Sequence, residues 1–285
     1  MPESAAGMTD RYAVIGYPLG HTLSPVFQQA AFDALGIDAH YESLVTAPAD
    51  LPERARELRT GQLAGINVTI PHKLAIVAEL DHVSEIARLT GAVNTVSVTT
   101  NGLRGNNTDV GAIETVLERA GVPAGISVLL LGAGGAARAA LVALLNRGDR
   151  VTVANRTLEK AATMTDDIAP DAGCTTLALD DPALPGPAGD ARLIINTTSI
   201  GMQGGPAPDQ SPLPDVCLHP KQTVFDIVYR PRQTALLQQA AAAGATGIGG
   251  LDMLILQGAH SFKIWTGQEP PVDIMLAAGR RAMEG

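Results

Sequence analysis

Apolar residues along the chain follow two alternating spacings, one typical of strands and one typical of helices. In the first part, strands are predicted at about residues 11–16, 40–46 and 65–70, and a helix is predicted at about 49–60. From residue 127 onward the same alternation repeats, with strands at SVLLL, VTVAN, RLIIN and QTVFD. Strands that alternate with helices in this way predict parallel βαβ units.

Residues with special backbone preferences mark the ends of several elements. Ser24 is expected to cap a helix, with Pro25 at its first helical position and Gly36 at its end. A further helix is expected after Pro71, and a β-hairpin is expected with its turn at Asn101–Gly102. The local chemistry therefore agrees with the apolar pattern.

The elements predict an α/β protein with two domains. Residues 1–112 are expected to form an N-terminal α/β domain, with C-terminal helices at about 252–285 packing back on it. Residues 113–251 are expected to form a Rossmann-like domain. The segments 180–190 and 201–220 are rich in Pro and Gly, and both are expected to be surface loops.

The composition supports this fold class and excludes some functions. Hydrophobic residues make up 46% of the 285 residues and aromatic residues only 3%, which favours an aliphatic core between helices and a buried sheet. The formal net charge of -9 argues against a nucleic-acid partner, but it allows a local site for an anionic small molecule. The longest apolar stretch, residues 128–145, contains glycines and Arg138, so no membrane span is expected.

Cysteine and histidine usage indicates a reducing compartment and no metal site. Cys174 and Cys217 are expected to be free thiols of a cytoplasmic protein. The N-terminal segment MPESAAGMTDRYAVIG has no basic start followed by an apolar stretch, so no signal peptide is expected. The histidines lack the spacing of metal ligands.

A glycine-rich turn indicates a nucleotide site. Gly132, Gly134 and Gly135 follow a predicted strand and open a predicted helix, where backbone can approach a pyrophosphate. The next strand ends in Asn155–Thr157, where NAD-binding proteins carry an acidic residue. The arginine at position 156 favours the 2′-phosphate of NADP(H) instead. A tight strand-to-helix connection and a solvated arginine are the alternative explanations.

Polar residues of the first part indicate a site for a small acid. Thr22 and Ser24 stand two residues apart at the start of a predicted helix, where hydroxyl and N–H groups can bind a carboxylate. Capping by Ser24 is the simpler explanation of that pair. Asn67 and Thr69 share one face of a predicted strand, and Lys73 follows its end.

Two further polar residues extend this candidate site. Asn94 begins the string NTVSV, and Asp109 ends the string GNNTD. A lysine and a carboxylate can form a structural ion pair. A buried lysine whose pKa is lowered can instead exchange a proton with a hydroxyl group.

Taken in order, the motifs resemble those of the shikimate dehydrogenase family. They are GYPLGHTLSP, GINVTIPHK, GAVNTV, GNNTD, GAGGA, ANRT, INTTSIGM and GLDMLILQGAHSFKIWTG. The resemblance extends from about residue 12 to residue 267. It implies an N-terminal substrate domain, a C-terminal Rossmann-like NADP-binding domain and an active site in the cleft between them.

The resemblance also implies a reaction and the residues that carry it. The reaction is the reversible NADP-dependent reduction of 3-dehydroshikimate to shikimate, a step of aromatic amino acid biosynthesis. Lys73 would exchange the proton with the C3 oxygen, and Asp109 would position the lysine. The residues implied for the substrate carboxylate and ring hydroxyl groups are Thr22, Ser24, Asn67, Thr69, Asn94, Tyr229 and Gln257.

NADP(H) is the cofactor that the resemblance implies. The implied cofactor-binding residues are Gly132, Ala133, Gly134, Gly135, Ala136, Asn155, Arg156, Thr157, Thr198, Ile227, Gly250 and Met253. A small-molecule substrate is the expected partner, and the expected assembly is a monomer or a homodimer.

Departures from the family pattern leave alternatives open. Thr22 stands where serine is common in the family, and Gln28, Gln29 and His72 also differ from many relatives. Quinate, or an amino or deoxy analogue of shikimate, is therefore an alternative substrate. A catalytically silent NADP-binding sensor is an alternative of another class, which the proton-transfer pair argues against. A folate dehydrogenase fits the lysine-bearing motif less well.

Overall fold

The structure, a computed structural model, describes residues 9–20, 22–214 and 218–284. The chain divides into two units: a first unit with the residues up to Thr108 and those from Ile255 onward, and a second unit, Asp109–Leu254. Cys174 is a free thiol. Cys217 lies outside the described residues, and so do residues 1–8, which are the first half of the segment that predicts no signal peptide.

The first unit is built on a mixed sheet. Its strands are β1 (Asp10–Gly16), β2 (Ala39–Val45), β3 (Gly65–Val68), β4 (His82–Val83), β5 (Thr95–Thr99) and β6 (Gly102–Asn106). The strand order is β2-β1-β3-β5-β6-β4, in which β2, β1 and β3 run parallel and β5 runs antiparallel to both of its neighbours. Three α-helices precede β6 along the chain: α1 (Ser24–Ala34), α2 (Leu51–Arg59) and α3 (Glu85–Thr90).

Parallel pairing in the first unit brings two polar segments to one edge of the sheet. The carboxyl ends of β1 and β3 lie side by side, since Ile15 pairs with Val68. The loop after β1 leads to α1, and the loop after β3 leads to Lys73. The backbone N–H of Tyr17 donates to the carbonyl of Ile70 at 2.9 Å, which ties these loops together.

The second unit has a parallel sheet with the strand order of a dinucleotide-binding fold. Its strands are β7 (Ser127–Leu131), β8 (Arg150–Asn155), β9 (Thr175–Ala178), β10 (Leu193–Asn196), β11 (Thr223–Asp226) and β12 (Thr246–Gly249). The order β12-β11-β10-β7-β8-β9 reverses direction between β10 and β7. Ligands of such sheets bind outside the carboxyl ends of the strands at this reversal. The predicted α/β class with a Rossmann-like domain is confirmed.

Helices complete both units. The remaining helices are α4 (Asp109–Arg119), α5 (Gly135–Asn146), α6 (Leu158–Ile168), α7 (Pro185–Asp190), α8 (Ala235–Ala242), α9 (Leu251–Thr266) and α10 (Val272–Ala282). The hydrophobic core of the second unit is aliphatic. It includes Leu129, Leu131, Ile194 and Val224, none of which is exposed. A core of this kind is what a chain with 3% aromatic residues can build.

The predicted capping role of Ser24 is wrong. Ser24 is the first residue of α1, and Leu23 is the N-cap residue, which makes no side-chain cap hydrogen bond. The N–H group of Ser24 instead donates to Oγ1 of Thr22 at 3.2 Å. Because Pro25 has no N–H group, the first turn needs less capping.

Several other local predictions differ from the structure. The segment after Pro71 forms turns and a short 3-10 helix, Ala75–Glu79, and no α-helix. The hairpin loop consists of residues 100–101, one position earlier than predicted, since Gly102 already pairs with Thr99. The strand β9 and the helix α7 were not predicted, because both are short and α7 contains Pro and Gly.

Candidate active site

Gly132 begins the predicted nucleotide turn directly after β7. Its φ is +113°, a conformation that side chains with a Cβ rarely adopt. An added Cβ would also overlap Oγ1 of Thr197, which donates to the carbonyl of Leu131 at 2.6 Å. The turn therefore requires glycine at position 132 for reasons within the protein itself.

Gly134 differs from Gly132, since the protein itself does not require it. It is exposed, its backbone is extended, and an added Cβ would meet no atom within 4 Å. Gly134 is the N-cap of α5 and supplies no side-chain cap, and the first N–H groups of a helix have no acceptor within the helix. Ala133, Gly135 and Ala136 are half-buried around it. This cradle fits a pyrophosphate at a helix N-terminus.

The end of β8 presents an arginine beside the same carboxyl edge of the sheet. Asn155 is half-buried and its Nδ2 donates to the carbonyl of Thr157 at 2.8 Å, which closes the loop. Arg156 between them is exposed, and no partner of its guanidinium is found among the described residues. A free guanidinium and the absence of an acid at this point fit the 2′-phosphate of NADP.

A buried carboxylate at the end of β11 was not singled out by the sequence. Asp226 is 0% exposed, and its Oδ1 accepts hydrogen bonds from Nδ2 of Asn196 and N–H of Val228, both at 3.0 Å. Its Oδ2 accepts from the hydroxyl of Thr234 at 2.7 Å. Burial raises the pKa of Asp226 from 3.8 to about 6, although the three donors oppose that rise. A charged residue at the end of an apolar strand is the pattern that could have indicated it.

The Asp226 cluster organises the loops that carry several predicted cofactor residues. Oδ1 of Asn196 accepts from both the N–H group and the hydroxyl of Thr198, at 3.0 and 2.7 Å. Ile227 follows Asp226 directly and is half-buried. An added Cβ at Gly250 would overlap the backbone of Ile227, so that contact requires glycine. Tyr229 is half-buried in the same loop.

Met253, the last of the predicted cofactor residues, lies in the first turn of α9. Only 6% of its surface is exposed. A small exposed fraction suits a side chain that packs in the protein and presents one edge to a ligand. Its thioether carries no charge, so any contribution to cofactor binding is by packing.

The two hydroxyl groups predicted to bind a carboxylate are hydrogen-bonded to each other. Oγ1 of Thr22 lies 3.3 Å from Oγ of Ser24. Thr22 is half-buried and Ser24 is buried. The helix does not use the Ser24 hydroxyl as a cap, and that hydroxyl accepts a hydrogen bond from Thr22 instead.

The predicted amide residues of the first unit form one buried network. Nδ2 of Asn67 donates to the carbonyl of Asn94 at 3.2 Å and to Oγ of Ser261 at 2.9 Å. Nδ2 of Asn94 donates to Oε1 of Gln257 at 3.1 Å, so three residues distant in sequence meet. Thr95, Thr108 and Ser261 belong to the network but were not predicted.

Lys73 and Thr69 lie in the loop after β3, and both are half-buried. The carbonyl of Lys73 accepts from N–H of Val93 at 2.7 Å, which fixes the backbone that carries the amine. His72 is buried and its Nε2 lies 2.7 Å from the carbonyl of Thr46, so this nitrogen carries the hydrogen. The imidazole thus anchors the loop.

Asp109 is the first residue of α4 and is 2% exposed. A carboxylate at a helix N-terminus is favoured by the helix dipole.

Among the residues that the structure describes, no group of three or more His, Cys, Asp or Glu side chains could hold a metal ion. Within the same described ranges, no helix has the length and hydropathy needed to cross a bilayer.

Three family profiles match three separate parts of the chain. Residues 14–96 match the shikimate dehydrogenase substrate binding domain. Residues 115–183 match the shikimate / quinate 5-dehydrogenase profile. Residues 250–278 match the shikimate 5′-dehydrogenase C-terminal domain.

Individual relatives match nearly the whole chain. Shikimate dehydrogenase (NADP(+)) of Methanothermobacter thermautotrophicus is 39% identical over 279 residues, which cover 97% of this chain and 98% of the relative. The crystal structure of shikimate 5-dehydrogenase from Thermus thermophilus in complex with NADP(H) and shikimate is 38% identical, covers 96% of this chain and 99% of that one, and has a TM-score of 0.86. Quinate dehydrogenase from Corynebacterium glutamicum in complex with NAD is 29% identical, covers 96% and 99% of the two chains, and has a TM-score of 0.85. The chain belongs to the shikimate dehydrogenase family.

Proposed function

We propose that this protein is an NADP-dependent shikimate dehydrogenase, which reversibly reduces 3-dehydroshikimate to shikimate. The observation that carries the proposal is the likeness, over 96% of the chain, to an enzyme solved with NADP(H) and shikimate bound. The glycine cradle and the buried amide network support it, because they supply the two kinds of site that the reaction needs.

The second unit is proposed to hold NADP(H). The open space at Gly134, where α5 begins, would receive the pyrophosphate. The Arg156 guanidinium would bind the 2′-phosphate, and Asn155 and Thr157 shape its loop. When bound, the cofactor supplies or accepts the hydride at its nicotinamide ring. Thr198, Ile227, Gly250 and Met253 are the remaining proposed contacts.

The first unit is proposed to bind most of the substrate. Thr22 and Ser24 would donate to the carboxylate, while the amide groups of Asn67, Asn94 and Gln257 would read the ring hydroxyl groups. Thr69 and Tyr229 complete the proposed contacts.

Lys73 and Asp109 are proposed as the catalytic residues. During reduction, the Lys73 ammonium group would donate a proton to the ketone oxygen as the carbon receives the hydride. During oxidation, the amine would take that proton back. Asp109 would orient the lysine and bind a ring hydroxyl group. This proton transfer is the chemistry that the protein adds to the hydride supplied by the cofactor.

The proposal is tested by initial rates of nicotinamide reduction, measured with shikimate or quinate and with NADP or NAD. Fast turnover with shikimate and NADP alone is the expected result. Absence of turnover with either acid, in protein shown to bind NADPH, would contradict the proposal. Quinate is the second candidate substrate, since a quinate dehydrogenase matches the fold with a TM-score of 0.85. A higher kcat/KM for quinate would assign the chain to that activity.

Two further properties are proposed with the function. A cytoplasmic location is favoured by the low cysteine count, which is two in 285 residues. A monomer or a homodimer is the expected assembly, which analytical ultracentrifugation distinguishes by mass.

A further inference from the structure

Tyr41 joins two parts of the proposed substrate site. It lies on β2 and is 2% exposed. Its hydroxyl donates to Oδ1 of Asn67 at 2.7 Å, and the side chain of Ser24 is close enough to lower the pKa of the phenol against the effect of burial. Tyr41 therefore adjoins both Asn67 and Ser24. Tyr41 thus links Ser24, which is proposed to bind the substrate carboxylate, to Asn67, which is proposed to bind a ring hydroxyl group.

The hydrogen bond from Tyr41 determines which way the Asn67 amide faces. Nδ2 of Asn67 already donates to the carbonyl of Asn94 and to Ser261. Within the described part of the chain, Oδ1 of Asn67 has Tyr41 as its partner. An amide oxygen only accepts hydrogen bonds, so the phenol must be the donor. Without that donor, a buried acceptor would be left unsatisfied.

The position of the Tyr41 ring is set by packing that does not involve its hydroxyl. The ring centroid lies 6.2 Å from that of Trp265, whose Nε1 donates to the carbonyl of Val96 at 3.0 Å. An added Cβ at Gly65 would overlap the indole, so glycine makes room for it. Removal of the Tyr41 hydroxyl alone should therefore leave the ring in place.

The phenol also keeps its proton. Burial raises the pKa of Tyr41 well above its ordinary value of 10, and the Ser24 side chain opposes this only in part. Tyr41 is therefore a hydrogen-bond donor throughout the neutral pH range.

We propose that Tyr41 is a positioning residue that fixes the Ser24 hydroxyl and the Asn67 amide relative to each other. It thereby selects acids whose carboxylate and ring hydroxyl groups match that separation. The inference rests on the proposed function, in which Ser24 and Asn67 contact the substrate. Tyr41 is proposed to act through these two residues.

The test compares Tyr41→Phe with a matched control, Tyr12→Phe. Tyr12 is also buried, and its ring lies 5.0 Å from that of Trp265, but its hydroxyl has no hydrogen bond among the described residues. In Tyr41→Phe, KM for shikimate should rise about tenfold, as expected for a buried acceptor that loses its donor, while kcat changes less. KM for NADP should stay within twofold, and Tyr12→Phe should match the wild type in all three constants.

Three outcomes would overturn the inference. Equal KM values for shikimate in the two variants would show that the Tyr41 hydroxyl does not position the site. A similar rise in KM for shikimate and in KM for NADP, together with a lower thermal midpoint, would indicate general damage to the protein instead. If the wild-type protein binds NADPH but does not oxidise shikimate, the proposed function fails and this inference fails with it. Normal wild-type activity with an unaffected Tyr41→Phe overturns the inference alone.

A double-mutant cycle with Ser24→Ala supplies an independent measurement. If Tyr41 acts through Ser24, the effects of Tyr41→Phe and Ser24→Ala on kcat/KM for shikimate should be less than additive. Full additivity would contradict the coupling. A cycle of this kind compares variants with one another, so it tolerates a moderate loss of stability in each.

Discussion

Replacing Asp226 by Asn should make the stability of the protein depend less on pH. Asp226 is fully buried at the end of β11, and Asn196, Val228 and Thr234 donate to its carboxylate. Despite these three donors, burial raises its pKa from 3.8 to about 6. Asn has nearly the same shape and carries no charge at any pH.

The sign and size of the effect follow from the difference between the two pKa values. The folded state holds the Asp226 proton more tightly than the unfolded chain does. The free energy of unfolding therefore falls as the pH rises from about 4 to about 6 and is constant above that range. Because one pKa unit corresponds to about 1.4 kcal/mol, the loss amounts to about 3 kcal/mol.

The Asn variant removes this titration and adds an offset that does not depend on pH. Its amide N–H group meets a donor where the carboxylate accepted a hydrogen bond, which costs about 1–3 kcal/mol. The informative quantity is therefore the change with pH. Between pH 4 and pH 7, the free energy of unfolding of Asp226→Asn should rise by about 3 kcal/mol relative to the wild type.

Urea unfolding at a series of pH values measures this change. Far-UV circular dichroism reports both units, whereas the fluorescence of Trp265, the one tryptophan of the chain, reports the first unit. Thr234→Val is the matched variant, since it keeps the carboxylate but removes the donor to Oδ2 at 2.7 Å. Loss of that donor should raise the pKa of Asp226 further and extend the pH-dependent range upward.

Two results would refute the reasoning. A difference between Asp226→Asn and wild type that stays constant from pH 4 to pH 7 would mean that Asp226 does not titrate in this range. A relative loss of stability of the variant as the pH rises would mean that the three donors stabilise the carboxylate more than burial penalises it. Either outcome would place the pKa of Asp226 at or below 3.8.

Three further predictions test the proposed sites. Lys73→Ala should lower kcat for shikimate oxidation by about 10²–10⁴-fold, the usual contribution of general acid–base catalysis, while NADPH affinity measured by fluorescence titration is retained; lost NADPH binding in a folded variant would contradict this role. Arg156→Ala should raise KM for NADP at least tenfold and leave KM for NAD within twofold; equal effects on both would exclude a 2′-phosphate contact. Gly132→Ala should lower the thermal midpoint by several degrees because of its positive φ and the overlap with Thr197, whereas Gly134→Ala should keep the midpoint and weaken NADPH binding. Similar midpoints for the two glycine variants would refute the distinction.

Local sequence patterns were sufficient to predict most elements and the class of the fold. The apolar spacings identify the strands and helices, and the glycine turn after β7 marks the nucleotide-binding edge before any contact is known. These features depend on neighbouring residues, so they are visible in the sequence. The short elements β9 and α7 escaped because four to six residues carry little periodicity.

The roles of individual polar residues depended on contacts between distant parts of the chain. Ser24 has the residue type of a helix cap, but the structure places it at the first helical position and beside Tyr41. The bond between Asn67 and Ser261 joins residues 194 positions apart, and no local pattern indicates it.

The sequence by itself therefore determined most of the secondary structure, the aliphatic core and the residue types available for chemistry. Only the tertiary structure decided that Asp226 is buried among three donors and that Tyr41 reaches Asn67 across β1. It also distinguished Gly132, which the protein's own backbone requires, from Gly134, which leaves space for a ligand. The physical reason is that spacing along the chain sets local conformation, whereas burial and hydrogen-bond partners depend on which strands the folded sheet places side by side.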